Sequence, residues 1–220
     1  MCKSYFLFIL LGLSLSLSCR SQTPSAQLTI SIPTIEQEAT SVWRTINDIE
    51  FLEKLGYSIA LPKHEQIDSL IAKSKRKDFG NQDYATIYQL LESDIYKETD
   101  YQAAKEKVVK EQERLLNMLG QIEAERTSYD WDFKMFEEYD IVFTLYGSGG
   151  SYDPETGRVT LFTTPEGAFK KYPNPANTII HEITHLGMEQ SIVLKHKLPH
   201  GLKERLVDRF VITLFGELLP

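Results

Sequence analysis

Apolar side chains recur at the three- and four-residue spacing of an amphipathic helix through most of the first half of the chain. The spacing predicts one helix from Ile35 to Leu55, which Gly56 would end because glycine readily adopts the backbone conformation needed after a helix. It predicts a second helix after Pro62 and one or two more within residues 82–126. We therefore expect a mainly helical N-terminal half.

The periodicity changes in the second half of the chain. The stretch from Tyr139 to Tyr146 is β-branched and aromatic, which is typical of a strand. A flexible turn with the sequence Gly-Ser-Gly-Gly follows. The stretch from Arg158 to Thr163 then alternates polar and apolar side chains, as a half-exposed strand does.

Helical spacing returns in two later segments. Asn174 and Pro175 are suited to begin the first of them, as N-cap and first helical residue. The second begins near residue 200 and carries an apolar stripe. The sequence thus predicts an α+β protein, in which a helical subdomain at residues 35–128 packs on a smaller subdomain at residues 129–220.

The run His181-Glu182-Ile183-Thr184-His185 lies within the first of these late helices. Residues four apart share a helix face, so both imidazoles can point at one metal ion. Glu182 lies one position along and can reach a water bound to that ion, as zinc-dependent hydrolysis requires. The alternative is an ordinary amphipathic helix with two histidines and a solvated glutamate.

A catalytic zinc ion usually has three protein ligands and one water, so a third ligand is needed. Metzincins place a glycine and a third histidine three and six residues after the motif, where this chain has Met188 and Ser191. Glu204 and Asp208 are four residues apart on the last helix and share one face. Together with the upstream motif they resemble the gluzincins, the thermolysin-like zinc metallopeptidases.

The resemblance implies a Zn²⁺ site whose ligands are His181, His185 and Glu204. Asp208 would then orient His181 through the ring nitrogen that does not bind the metal. Glu182 would be the general base toward the zinc-bound water that attacks the peptide bond. The alternative for Glu204 and Asp208 is a solvated charged face, because basic residues flank them.

The resemblance also implies a small zincin-like domain with a short antiparallel sheet, an active-site helix and a glutamate-bearing helix. In such domains an extended peptide substrate adds to an edge strand, for which residues 158–163 are the candidate; an ordinary β-hairpin is the alternative. His200, one turn before Glu204, is a candidate catalytic residue that could stabilise the oxyanion. It could instead be a ligand or a surface residue.

The first residues predict export. Lys3 precedes a short apolar stretch that ends in small residues, which predicts a signal peptide over residues 1–18 rather than a membrane span. Cys19 follows directly, and this resembles a bacterial lipoprotein signal, in which the cysteine becomes the lipid-modified first residue. Residues 19–34 would be the lipid anchor and a flexible tether to the membrane of the cell envelope. A plain secretory signal is the alternative.

Charge and cysteine content agree with this location. Cys2 and Cys19 are the only cysteines, so the mature chain would have no internal disulfide. Loss of Lys3 with the signal changes the formal net charge from −7 to −8, which disfavours nucleic acid as a partner. Two other functions stay open: a zinc hydrolase of non-peptide amides or esters, and an anchored binding lipoprotein whose zinc site is structural or vestigial.

Overall fold

The computed structural model describes residues 26–170, 173–217 and 219. Within these residues, four strands form one sheet in the order β1-β2-β4-β3. The strands β1, β2 and β4 run parallel, and β3 pairs antiparallel with β4 at one edge. Their bounds are Gln27–Ser31 (β1), Glu138–Thr144 (β2), Ser151–Asp153 (β3) and Arg158–Phe162 (β4).

The described residues contain seven α-helices and five short helical turns. The α-helices are α1 (Ile35–Asn47), α2 (Ile49–Lys54), α3 (Glu65–Lys75), α4 (Tyr84–Leu90), α5 (Gln102–Glu125), α6 (Pro175–Met188) and α7 (His200–Phe215). The turns are Asn81–Asp83, Leu91–Ile95, Glu98–Tyr101, Arg126–Ser128 and Glu189–Leu194. The α+β class and the helical character of the first half are therefore confirmed.

The single helix predicted from Ile35 to Leu55 is two helices, α1 and α2. Asp48 separates them, and the side-chain amide of Asn47, the last residue of α1, donates a hydrogen bond to the Asp48 carboxylate at 2.8 Å. Both residue types favour such local bonds over the helix interior, which explains the break. Gly56 follows α2 with a positive φ of 73°, as predicted for the residue that ends this region.

Two predictions about the sheet are wrong. The sheet is mixed rather than antiparallel, because β1, β2 and β4 are parallel. Residues 158–163 do not form its edge, since β4 lies between β2 and β3. The edge beside β4 is β3, a three-residue strand too short and polar to be visible as a strand pattern. A tight turn that contains Gly157, with a φ of 74°, returns the chain from β3 to β4.

The predicted tether over residues 19–34 is also wrong at its C-terminal end. Residues Gln27–Ser31 form β1, which pairs with β2, and Leu28 is buried against the core. The signal peptide and Cys19 lie outside the described residues. Among the residues that are described, no helix combines the length and apolar composition needed to cross a bilayer.

The buried side chains form two clusters. The larger one contains residues of the sheet, α5, α6 and α7, while the smaller contains residues of α1, α3 and α4. Helix α5 packs against β1 and α6, and α6 packs against β3, β4 and α7. The division near residue 128 stays a prediction, but α5, which precedes it, shares the core of the sheet.

Glu38 of α1 is fully buried where α1 meets the end of β2. Its carboxylate accepts hydrogen bonds from the Tyr101 hydroxyl and from the Leu145 N–H, the latter at 2.8 Å. The Thr144 hydroxyl lies 2.5 Å from the second carboxylate oxygen and 2.9 Å from the carbonyl oxygen of Tyr146. Because a hydroxyl has a single proton, both contacts can be hydrogen bonds only if Glu38 is protonated.

The hydrogen-bond network of Glu38 makes the stability of the folded chain depend on pH. Burial raises the pKa of Glu38 above its ordinary value of 4.5, so the folded chain holds the proton over a pH range in which the unfolded chain has lost it. Stability therefore falls as the pH rises from 4.5 through the folded-state pKa. Glu38→Gln, which cannot titrate, is expected to gain stability relative to the parent chain over that interval.

Urea unfolding at pH 4.5 and at about pH 8 measures this difference. Glu36→Gln, on the exposed part of the first turn of α1, is the matched control and is expected to show no such gain. An equal pH dependence for the two variants would contradict the assignment.

Candidate metal centre

Helix α6 is a rigid platform for the histidine motif. The Asn174 side chain caps it by accepting a hydrogen bond from the Ala176 N–H at 2.8 Å, and Pro175 occupies its first position, as predicted. Its apolar residues are buried on several sides against the sheet, α5 and α7. At Gly187 the approach is so close that a Cβ would lie 2.1 Å from the Phe133 ring.

The structure brings together the three residues predicted as ligands. Nε2 of His181 lies 3.1 Å from Nε2 of His185. Each of these nitrogens lies 3.4 Å from a different carboxylate oxygen of Glu204, which α7 places opposite α6. The three residues thus form a group, buried at both histidines, that could hold a metal ion.

The spacing of this group fits a tetrahedral ion. Ligand atoms about 2.0–2.1 Å from zinc at tetrahedral angles are separated from one another by about 3.3–3.4 Å. The three separations here are 3.1, 3.4 and 3.4 Å. Two nitrogens and one carboxylate are also a donor set that zinc accepts, and a fourth position remains for a small ligand.

The protonation states favour metal binding. Hydrogen bonds from His181 and His185 hold the pKa of Glu204 well below its usual range, so this carboxylate is ionised at neutral pH. Burial lowers the pKa of His185, which keeps its imidazole neutral. An ionised carboxylate and a neutral imidazole are the charge states in which these side chains coordinate metals, once Nε2 of each histidine has given up the proton that it donates to Glu204.

Asp208 and Tyr152 orient the two histidines in different ways. A carboxylate oxygen of Asp208 lies 3.1 Å from Nδ1 of His181, at the distance expected for a hydrogen bond. Nδ1 of His185 is buried and has no hydrogen-bond partner among the described residues. Instead, the ring of Tyr152 stacks on its imidazole, with centroids 5.0 Å apart and an interplanar angle of 7°.

The hydroxyl of Tyr152 is itself fixed. It donates to the Glu189 carboxylate at 2.7 Å and accepts from the Lys203 ammonium group at 3.1 Å. Burial and the neighbouring Glu189 raise the pKa of Tyr152, so the hydroxyl keeps the proton that it donates. Tyr152 was missed by the sequence reasoning, because neither its position on β3 nor a stacking contact has a local sequence signal.

Glu182 lies beside the metal group in a cavity of about 1090 Å³. The cavity is bounded by α6 and α7 on one side and by the segment of α2 and residues 55–58 on the other. Gly150 approaches the Glu182 carboxylate so closely that a Cβ there would lie 3.1 Å from Oε1. Glycine at this position therefore makes room for the predicted general base.

His200 is the first residue of α7 and lines the same cavity. Its Nδ1 lies 3.5 Å from a carboxylate oxygen of Glu204, and its Nε2 lies 3.4 Å from the hydroxyl of Tyr57. It is not part of the group of three that could hold a metal. Its predicted role in stabilising the oxyanion stays a prediction, and Tyr57 is a neighbour that the sequence did not indicate.

The stacked tyrosine makes a testable contribution to metal affinity. Tyr152→Ala removes the ring that fixes the His185 imidazole, and we expect the zinc dissociation constant to rise by roughly tenfold or more. Tyr152→Phe keeps the ring and is expected to retain most of the affinity. Competition with a chromophoric chelator measures both constants. Equal affinities for the parent chain and Tyr152→Ala would show that stacking does not position His185.

No protein-family model, no curated protein and no solved structure matches this chain. The gluzincin resemblance therefore rests on five residues of the chain itself, His181, Glu182, His185, Glu204 and Asp208. Membership of that family stays a prediction.

Proposed function

We propose that this protein is a zinc-dependent metallopeptidase. One observation carries the proposal: ligand atoms of His181, His185 and Glu204, from two separate helices, lie within 4.8 Å of one another. They do so in the wall of a cavity that Glu182 also lines. A metal group and a carboxylate base that share one open cavity are the minimum that hydrolysis of this kind needs.

Three protein ligands favour a catalytic site over a structural one. Structural zinc sites are closed by four protein ligands, whereas catalytic sites keep one position open. Among the described residues, the group contains three members, and the candidate fourth, His200, is outside it. Zinc bound here would lower the pKa of a coordinated water and polarise the carbonyl of the substrate.

Other residues of the chain would transfer the proton, orient the ligands and stabilise the oxyanion. Glu182 accepts the proton of the attacking water and passes it to the leaving amine. Gly150 lets the Glu182 carboxylate occupy its position, and Asp208 holds the His181 imidazole in one orientation. His200 or Tyr57, at the cavity wall, can donate a hydrogen bond to the developing oxyanion.

The substrate is proposed to lie extended along β3. Among the described residues this strand pairs with β4 on one side only, so its outer side offers main-chain groups to an added strand. Gly150, Ser151 and Tyr152 line the cavity next to the metal group. The proposed location thus moves from the predicted residues 158–163 to residues 150–153.

The proposed cellular location of the protein is argued from its N-terminal sequence alone. We propose an exported chain, anchored in the membrane of a bacterial cell envelope through lipid on Cys19. The substrate would then be a peptide or protein outside the cytoplasm. Nucleic acid is disfavoured as a partner by the net charge of −7.

Two substitutions test the proposed chemistry. The purified chain is expected to bind one zinc ion and to cleave peptides in a diverse mixture whose products are identified by mass spectrometry. Glu182→Gln should keep the zinc and lose at least about 100-fold in cleavage rate, because the general base is gone. Glu204→Ala should lose most of its zinc, as well as the rise in melting temperature that zinc gives the parent chain.

Either of two results would reject the proposal. If the well-folded parent chain binds no zinc, the assignment of the metal centre is wrong. If Glu182→Gln cleaves peptides as fast as the parent, the assignment of Glu182 as general base is wrong.

Neighbouring glycines give a finer test of the position of Glu182. Gly150→Ala places a methyl group 3.1 Å from Oε1 of Glu182, whereas Gly149→Ala points into open space. We expect Gly150→Ala to lower kcat by about tenfold through displacement of the carboxylate, with zinc content unchanged. Gly149→Ala is the matched control and should behave as the parent chain. If the two variants have the same kcat, the close approach of Gly150 has no catalytic role.

A further inference from the structure

The cavity wall opposite the metal group, which is formed by α2 and residues 55–58, has exposed apolar side chains. Of the residues that the structure describes, seven have large apolar side chains that are exposed. Three of these seven, Phe51, Leu55 and Tyr57, line the cavity, with 63%, 51% and 42% of their surfaces exposed. Clustered exposure of this kind is uncommon on a soluble surface without a binding role.

Helix α2 forms this wall with two different faces. Phe51 and Leu55 are four residues apart, so they lie on the same side of the helix. Ile49, in contrast, is buried. The apolar exposure is therefore confined to the side that faces the cavity, while the other side anchors the helix.

Hydrogen bonds tie the wall to the part of the chain that holds the metal group. Ala60 and Gly147 exchange two backbone hydrogen bonds, each of 2.9 Å. The Lys170 ammonium group donates to the carbonyl oxygen of Ser58 at 2.7 Å and to that of Ser148 at 2.6 Å. The segment after α2 is thus fastened to the loop that leads into β3, which fixes the wall over the site.

The two sides of the cavity differ in chemistry. The metal side presents imidazoles and carboxylates, and the rest of the lining includes the apolar residues Leu52, Phe162 and Phe169. A lining of this kind suits an extended molecule that has a polar group at the metal side and an apolar part beside it.

We propose that Phe51, Leu55 and Tyr57 bind a large apolar side chain of the peptide substrate, adjacent to the bond that is cleaved. This inference rests on the proposed peptidase function. A peptide strand on the outer side of β3 presents its main chain to the sheet and can direct a side chain across the cavity to α2. The concave shape of the site, shared with the metal group, suits a single side chain better than the surface of a second protein.

The test compares matched peptides and matched variants. The parent chain is expected to prefer phenylalanine, leucine or methionine at one position beside the cleaved bond. In the double variant Phe51→Ser, Leu55→Ser, kcat/KM for such a peptide should fall by roughly tenfold or more, with little change for the alanine counterpart. Leu194→Ser and Ile212→Ser, which alter exposed residues outside the cavity, are the controls and should keep the parent preference.

Two results would overturn the inference. One is an unchanged preference in the double variant. The other is a double variant that cleaves as the parent does but turns a dimer into a monomer, which would assign the wall to a second copy of the chain.

Binding to Glu182→Gln separates this inference from the function on which it rests. A dye-labelled apolar peptide is expected to bind zinc-loaded Glu182→Gln and to bind at least roughly tenfold more weakly when Phe51 and Leu55 are also replaced by serine. Wall-dependent binding without any cleavage by the parent would reject the peptidase and keep the apolar wall. Cleavage by the parent without wall-dependent binding would keep the peptidase and reject the apolar wall.

Discussion

Helix α6 is buried along most of its length, yet three of its buried positions carry the polar side chains of His181, Glu182 and His185. Polar groups removed from water are costly unless other groups satisfy them. Helix α7 supplies the partners of the histidines, with Glu204 in front of both imidazoles and Asp208 behind one. The geometry of the metal group is thus set by the packing of two helices.

The cavity wall formed by α2 and residues 55–58 also depends on contacts elsewhere in the fold. Helix α1 is fixed to the end of β2 by the buried Glu38, and α2 begins two residues after α1 ends. The buried Glu38 therefore helps to fix the helix that leads directly into α2. Because that acid needs its proton to complete its hydrogen bonds, the attachment of α1 to the end of β2 is strongest when Glu38 is protonated.

Local periodicity was sufficient to predict the platform of the site. The helix that carries His181 and His185, its start at Asn174, and the shared face of Glu204 and Asp208 all follow from spacings within a few turns. What local spacing could not provide was the partner of each element. β1 was missed because its five residues adjoin a polar stretch, and β3 because it has three. The exposure of Phe51 was missed for a related reason, since periodicity identifies a helix without showing which of its sides the rest of the chain covers.

The pairing of β1 with β2 has a consequence for the order in which the molecule can be assembled. The Ser31 hydroxyl donates to the Asp140 carboxylate across 109 positions of the chain, so β1 and β2 cannot pair until the chain has been made past residue 140. The cluster of α1, α3 and α4 is local and can form early, whereas contacts between distant segments form slowly. Glu204 lies on the last helix, so the group of three is completed only when that helix docks. A nascent chain that includes both histidines but not yet Glu204 lacks their acidic partner, and on the proposed function it is therefore inactive until the helix that carries Glu204 has docked.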